Sequence, residues 1–257
     1  MPIKILAIGD VAGQAGVGFL CAKLQGVKKW GDVGFTVVNG ENASGLGITP
    51  RQAQTLFEAG ADVITLGNHT WARPELRGYL GDSQKILRPA NYAPQVPGRG
   101  WGIFGTAFGD ICVINLSGRV SMPDEIENPF HKVDGILKKI KTNMILVDFH
   151  AEATSEKYAM AYYLDGRVSV LWGTHTHVQT SDSRVFPGGM GYITDIGMTG
   201  AIDSVIGMKP EQPISRFLGN PPERFEPAEG PAKIEGAIFE LDADTGKCLN
   251  VEAVRIS

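Results

Sequence analysis

Five histidines occur in the 257-residue sequence, and two of them stand one residue apart in the stretch LWGTHTHVQT, as His175 and His177. The preceding RVSVLWGT is rich in β-branched and apolar residues and has the length of a buried strand. Side chains alternate along an extended chain, so the two imidazoles are expected to project the same way. That placement suits a metal ion or a phosphate. Taken in isolation, a hydrogen-bonded pair at a strand end is the better explanation until partners are found.

Four other apolar runs end in polar residues of the same kind. Asp10 closes IKILAIGD, Glu41 and Asn42 follow FTVVNG, Asn68 and His69 follow DVITLG, and His150 ends NMILVDFH. Each has a plain structural explanation: a turn or helix-cap aspartate, a polar loop, an Asx-turn, a satisfied core histidine. Together Asp10, Glu41, Asn42, Asn68, His150, His175 and His177 form an oxygen and nitrogen donor set. Seven donors exceed one tetrahedral zinc and suit two metals with open positions. A carboxylate such as Glu41 can bridge cations roughly 3.5 to 4 Å apart, a spacing that lets them hold both a substrate oxygen and a hydroxide nucleophile.

These residues must be positioned by a recognisable alternation. The first half reads βαβαβ: a strand, a helix over 14–30, a strand, a helix over 50–59 and a strand. The second helix carries its own start signal, with Thr49 as cap, Pro50 at the first helical position, Gln52 completing a capping box and Gly60 as the stop. GWGIFGTAF and ICVINLS read as a hairpin turning at Gly109-Asp110. A helix capped by Asn128 is expected over 129–141, and another over 155–164. Beyond the histidine pair the pattern changes to antiparallel strands, with a hairpin around 187–189, a short helix near 210–218, and two final strands around Asp244-Thr245-Gly246. Donors that sit beyond the carboxyl ends of strands are where α/β sheets bind ligands. The expected fold class is α/β, with two mixed sheets packed as a sandwich flanked by helices, in a single domain spanning 1–257.

Composition supports that picture. Hydrophobic residues make up 43% of the chain, enough for a substantial core. A net charge of −4 offers no global basic surface, so an extended nucleic-acid duplex is not an expected partner. Cys21, Cys112 and Cys248 are odd in number and lack CxxC spacing, which suits reduced thiols. The opening apolar run is too short for a signal or membrane segment. The chain is therefore expected to be cytoplasmic, without a membrane partner, acting on a small molecule, and able to form a homo-oligomer.

As an ordered set, Asp10, "GEN", "GNH", His150 and "GTHTH" resemble the calcineurin-like metallophosphoesterases. Two departures narrow the likeness: the usual Asp-x-His reads DVA, with Ala12 in place of histidine, and the usual bridging aspartate is Glu41. Both departures, with the blocks NGENASGLGIT and TLGNHTW, resemble the YmdB-like branch of bacterial phosphodiesterases acting on cyclic nucleotides. The resemblance implies one metal held by Asp10, Glu41, Asn42 and His177, and a second held by Glu41, Asn68, His150 and His175. It also implies His69 as general acid, and hydrolysis of 2′,3′- or 3′,5′-cyclic nucleotides by metal-activated water. An amide oxygen from Asn42 is harder than imidazole and favours iron or manganese over zinc.

Two rivals bear on this reading. GDVAGQAG spaces its glycines as Gly9, Gly13 and Gly16, not as GxGxxG, which weakens a dinucleotide site. A metal- or nucleotide-binding regulatory protein with little turnover would use the same donors. Substrate contacts are expected from loops 43–48, 119–128 and 197–208.

Overall fold

A computed structural model describes residues 2–122 and 126–257. In chain order the elements begin with β1 (Pro2–Ile8), β2 (Asp10–Val11), α1 (Gly13–Gly31), β3 (Val33–Asn39), α2 (Pro50–Ala59) and β4 (Val63–Thr65). Next come α3 (Leu76–Asp82), β5 (Ile86–Leu87), β6 (Trp101–Thr106), β7 (Gly109–Ser117), α4 (Pro129–Leu137), β8 (Met144–His150), α5 (Thr154–Leu164) and β9 (Val170–Thr174). The chain finishes with β10 (Arg184–Val185), β11 (Gly191–Ile193), β12 (Met198–Ala201), α6 (Glu211–Phe217), β13 (Ala232–Asp242) and β14 (Cys248–Ile256).

The strands form two mixed sheets. The first runs β2-β12-β13-β1-β3-β4-β5, with β14 on β13; the second runs β10-β11-β9-β8-β7-β6. Strands β1, β3, β4 and β5 are parallel, as are β7, β8, β9 and β11, so each sheet brings several carboxyl ends to one edge. The inner faces meet through Ile5, Val37, Val63, Val113, Leu146 and Trp172. On the outer face of the first sheet, Leu20 and Leu24 of α1 and Leu56 of α2 pack with Leu6, Val38 and Ile64. On the outer face of the second, Val133 and Ile136 of α4 and Met160 and Leu164 of α5 pack with Ile114, Val147 and Leu171. Burial of these apolar faces drives the layers together.

Local signals account for the element boundaries. The Thr49 hydroxyl accepts from Gln52 N at 3.2 Å while the Gln52 side chain returns to Thr49 N at 3.0 Å, and Gly60 ends α2 in the left-handed region. Asn128 Oδ1 accepts from Phe130 N and His131 N to start α4. That helix ends at Leu137, short of 141, and continues only as turns. The β6–β7 hairpin turns at Ala107-Phe108, because Gly109 is already paired opposite Thr106 and the Thr106 hydroxyl accepts from Phe108 N. Gly16 of the glycine-rich opening supports close packing: a Cβ there would lie 2.2 Å from Thr199 O on β12. No helix among the described residues is long and apolar enough to cross a membrane. Cys21, Cys112 and Cys248 are unpaired.

Candidate metal centre

The strand ends deliver all seven predicted donors to one edge of the sandwich, where they form two adjoining clusters. In one, His150 Nε2 lies 3.1 Å from Glu41 Oε1, 3.0 Å from Asn68 Oδ1 and 3.1 Å from His175 Nδ1. Glu41, His150 and His175 alone make a compact candidate metal group. In the other, His177 Nε2 lies 3.0 Å from the Asn42 amide and 3.8 Å from Asp10 Oδ1, and Asn42 Nδ2 is 3.2 Å from Glu41 Oε1. The same Glu41 oxygen borders both clusters.

Each of the three imidazoles is held by its far nitrogen. His150 Nδ1 faces Thr174 Oγ1 at 2.9 Å, and that hydroxyl donates to Asp148 Oδ1 at 2.7 Å, so it is free to accept the ring N–H. His177 Nδ1 faces the carbonyl of Ile206 at 2.9 Å, and His175 Nε2 faces Glu152 Oε2 at 3.0 Å. These hydrogen-bond acceptors belong to neither cluster, although His150 Nδ1 also lies 3.7 Å from Asp10 Oδ1. The nitrogens left over, Nε2 of His150 and His177 and Nδ1 of His175, therefore face inward, where each offers a lone pair in the neutral ring, as outer hydrogen bonds arrange for metal-ligating histidines.

A buried polar floor ties the two sheets beneath these rings. Asp148 Oδ2 accepts from Thr65 Oγ1 at 2.5 Å and Asn39 Nδ2 at 3.2 Å, while Asn39 Oδ1 accepts from Glu41 N at 3.1 Å. Burial pushes the Asp148 carboxyl up to about 6, against the donors that favour its charge. Asp148 announces itself in the sequence only as the one charge inside ILVDFHA. Asn39, Thr65, Thr174 and Glu152 carry no comparable signal.

The electrostatics mark a site short of positive charge. Asp10 and Glu41 are fully buried. Burial raises the Asp10 carboxyl despite His177 and His150 nearby. Burial also opposes the Glu41 charge, yet His150 and His69 hold that carboxyl well below the usual range. Burial works against a charge on His150 too, but Glu41, Asp10 and Asp148 outweigh it and push the ring up to about 9; His175 falls to about 3 through burial and the neighbouring His150. Asp10 Oδ1 and Asn42 Oδ1 are buried without a hydrogen-bond partner. The orphaned Asp10 oxygen beside inward-facing imidazole nitrogens suits a divalent cation, whereas Asn42 turns its Nδ2, not its oxygen, towards His177 and Glu41.

His69 occupies the rim, its side chain 31% exposed, with Nδ1 3.1 Å from Glu41 Oε1 and its backbone N–H donated to Glu41 Oε2. Asn68 divides its amide, Oδ1 towards His150 and Nδ2 towards His69 Nε2 at 3.4 Å. Gly67 permits this crowding, since a Cβ there would fall 2.2 Å from Glu41 Oε2 and from His150 Cδ2. The expected alternation of His175 and His177 does not hold. Beyond Thr174 the chain leaves the strand, with φ of 99° at His175 and 63° at His177, so the rings diverge to different clusters.

Of the expected substrate loops, 197–208 reaches the site through Ile206, and 43–48 follows Asn42 directly. Loop 119–128 lies partly outside the described residues. Arg88 does not face the site: its guanidinium donates to the carbonyls of Pro89, Val96 and Pro97.

Two helix-flanked mixed sheets with such donors at their carboxyl edge make this a metallophosphoesterase-type fold. The chain matches the YmdB-like protein family over residues 6–254 and belongs to it. It is 42% identical, over 99% of its length and 97% of the relative, to the 2′,3′-cyclic-nucleotide 2′-phosphodiesterase of Bacillus subtilis. A crystal structure described as a novel phosphatase from Mycoplasma pneumoniae superposes with a TM-score of 0.94 at 36% identity, covering 100% of this chain and 94% of that one. A hypothetical protein from Thermus thermophilus gives 0.93 at 36% identity over 99% of both chains.

Proposed function

We propose that this chain is a binuclear metal-dependent phosphodiesterase that opens cyclic nucleotides, 2′,3′-cyclic and/or 3′,5′-cyclic. The observation that carries the reading is the pair of clusters sharing Glu41, with three imidazoles whose outer nitrogens are bonded away from them. The activity named for the Bacillus subtilis relative supports the substrate class.

One ion would be held by Asp10, Glu41, Asn42 and His177, the Asn42 amide turning over from its present Nδ2 contacts to offer its oxygen; the other would be held by Glu41, Asn68, His150 and His175. When bound, the ions, iron or manganese by donor hardness, supply positive charge to phosphoryl oxygens and lower the pKa of water. The chain does the rest. Thr174, Ile206 and Glu152 fix the tautomers, and the buried floor under Glu41 keeps the donors from drifting. His69 stands at the rim with Nδ1 on Glu41 and Nε2 3.4 Å from Asn68 Nδ2, and in its protonated form the ring would donate to the departing alkoxide. Unpaired cysteines support a reducing compartment for the enzyme, the cytoplasm.

The test is hydrolysis of bis(p-nitrophenyl) phosphate, then of cyclic nucleotides, by chelator-stripped protein with and without manganese(II). His69→Ala is expected to lose about 10²- to 10⁴-fold in turnover while keeping both ions. His177→Ala is expected to lose an ion as well. Two bound ions with no hydrolysis under any metal would instead favour a regulatory role.

A further inference from the structure

We propose that Thr176, Asp195 and Lys157 are positioning residues that hold the His175–His177 turn open, so that its two imidazoles serve different clusters. The inference rests on the two-cluster reading above. An extended continuation of β9 would send both rings to one side. The structure instead places His175 at φ 99° and His177 at φ 63°, both left-handed and neither a glycine. Such backbone persists only where surrounding contacts over-determine it.

The contacts converge on the residue between the histidines. Asp195 Oδ2 accepts from Thr176 N at 3.2 Å and from Thr176 Oγ1 at 2.7 Å. The same oxygen accepts from Lys157 Nζ at 2.8 Å, and Asp195 Oδ1 accepts from Gly197 N at 2.9 Å. Backbone bonds close the loop further on, with Thr180 N donating to Asp195 O at 3.0 Å. Lys157 and Asp195 are 1% and 0% exposed. A buried ion pair is weak as a source of net stability, because desolvation offsets the attraction. Its geometry here serves a further end: Lys157 reaches in from α5, Asp195 follows β11, and their shared oxygen fixes the backbone and the side chain of Thr176 together. On the other side His175 N donates to Asp10 Oδ2 at 3.1 Å, which locks the turn against a donor of the other cluster.

Thr176→Val removes the hydroxyl at nearly constant shape, and Thr176→Ser restores it. Manganese(II) titration calorimetry of the chelator-stripped proteins, thermal unfolding, and amide hydrogen exchange over 174–178 without metal supply the readouts. Thr176→Val is expected to bind manganese(II) about 10-fold more weakly or worse, with its thermal midpoint near wild type and a faster-exchanging amide at 176. Thr176→Ser is expected to return to within about twofold of wild type. Wild-type affinity in Thr176→Val, or equal weakness in Thr176→Ser, overturns the proposal. Should Thr176→Val not fold, Asp195→Asn, which keeps acceptor oxygen but loses the charge facing Lys157, is read the same way. If wild-type protein binds no second ion, the two-cluster reading fails, whereas exchange at Thr176 still decides the positioning claim: unchanged protection in Thr176→Val refutes it.

Discussion

Gly67→Ala puts the geometry of the shared carboxylate to a direct test. The added Cβ would lie 2.2 Å from Glu41 Oε2, 2.2 Å from His150 Cδ2 and 2.3 Å from His150 Nε2. Comfortable contact begins near 3.5 Å, so the groups must part by roughly 1.3 Å. Neither donor has room to retreat. His150 is fully buried, with Thr174 Oγ1 2.9 Å behind it, and Glu41 is fully buried, with its own backbone N–H donated to Asn39. Overpacking of this kind costs about 1–3 kcal/mol of stability. Displacing a reacting group by about 1 Å costs on the order of 10²-fold in rate, or ~2.7 kcal/mol of barrier. Gly67→Ala is therefore expected to fold with a lowered thermal midpoint, bind manganese(II) about 10- to 100-fold more weakly, and hydrolyse bis(p-nitrophenyl) phosphate about 10²-fold more slowly. A variant with unchanged midpoint and a rate within about threefold of wild type, under ~0.7 kcal/mol, would refute the close approach and the site built on it.

Two further outcomes probe the scaffold. Gly18 and Gly26 stand exposed in α1, and a methyl group added at either would meet nothing within 4 Å, so Gly18→Ala and Gly26→Ala should each raise stability by about 0.5–1 kcal/mol in thermal or urea unfolding; a lower midpoint would contradict the helix geometry. Burial works against the Asp182 charge, but Thr194, Thr180 and Tyr158 donate to it and hold its carboxyl below the ordinary 3.8. Its stabilisation is present above 3.8 and lost as pH falls through the lower folded value. Asp182→Asn should thus cost about 1–3 kcal/mol at neutral pH, with the gap to wild type closing in acid; a gap independent of pH would argue against the charge.

What the sequence disclosed and what it withheld divide along a physical line. Signals that act within a few residues were legible: the Thr49–Gln52 box starts α2 at Pro50, Asn128 starts α4, and apolar runs became the strands whose ends carry Asp10, Glu41, Asn68 and His150. Which of those ends would meet was legible only through the order of the motifs, because burial patterns do not specify sheet neighbours. Short strands such as β2, β5 and β12 were not foreseen, since two to four residues carry too little periodicity to separate them from loops. The strand alternation expected of the histidine pair failed for a different reason. Alternation along a strand is a rule for backbone left to its own preferences, and at His175 and His177 that preference is overruled by Asp10, Asp195 and the carbonyl of Ile206, all distant in sequence. Local propensity and tertiary contact disagree here, and natural chains concentrate such conflicts at functional sites. The departure from the strand rule therefore marks the pair more sharply than agreement would have done: two imidazoles on one face suit a single ion, whereas two that part at a strained turn suit two ions sharing a carboxylate.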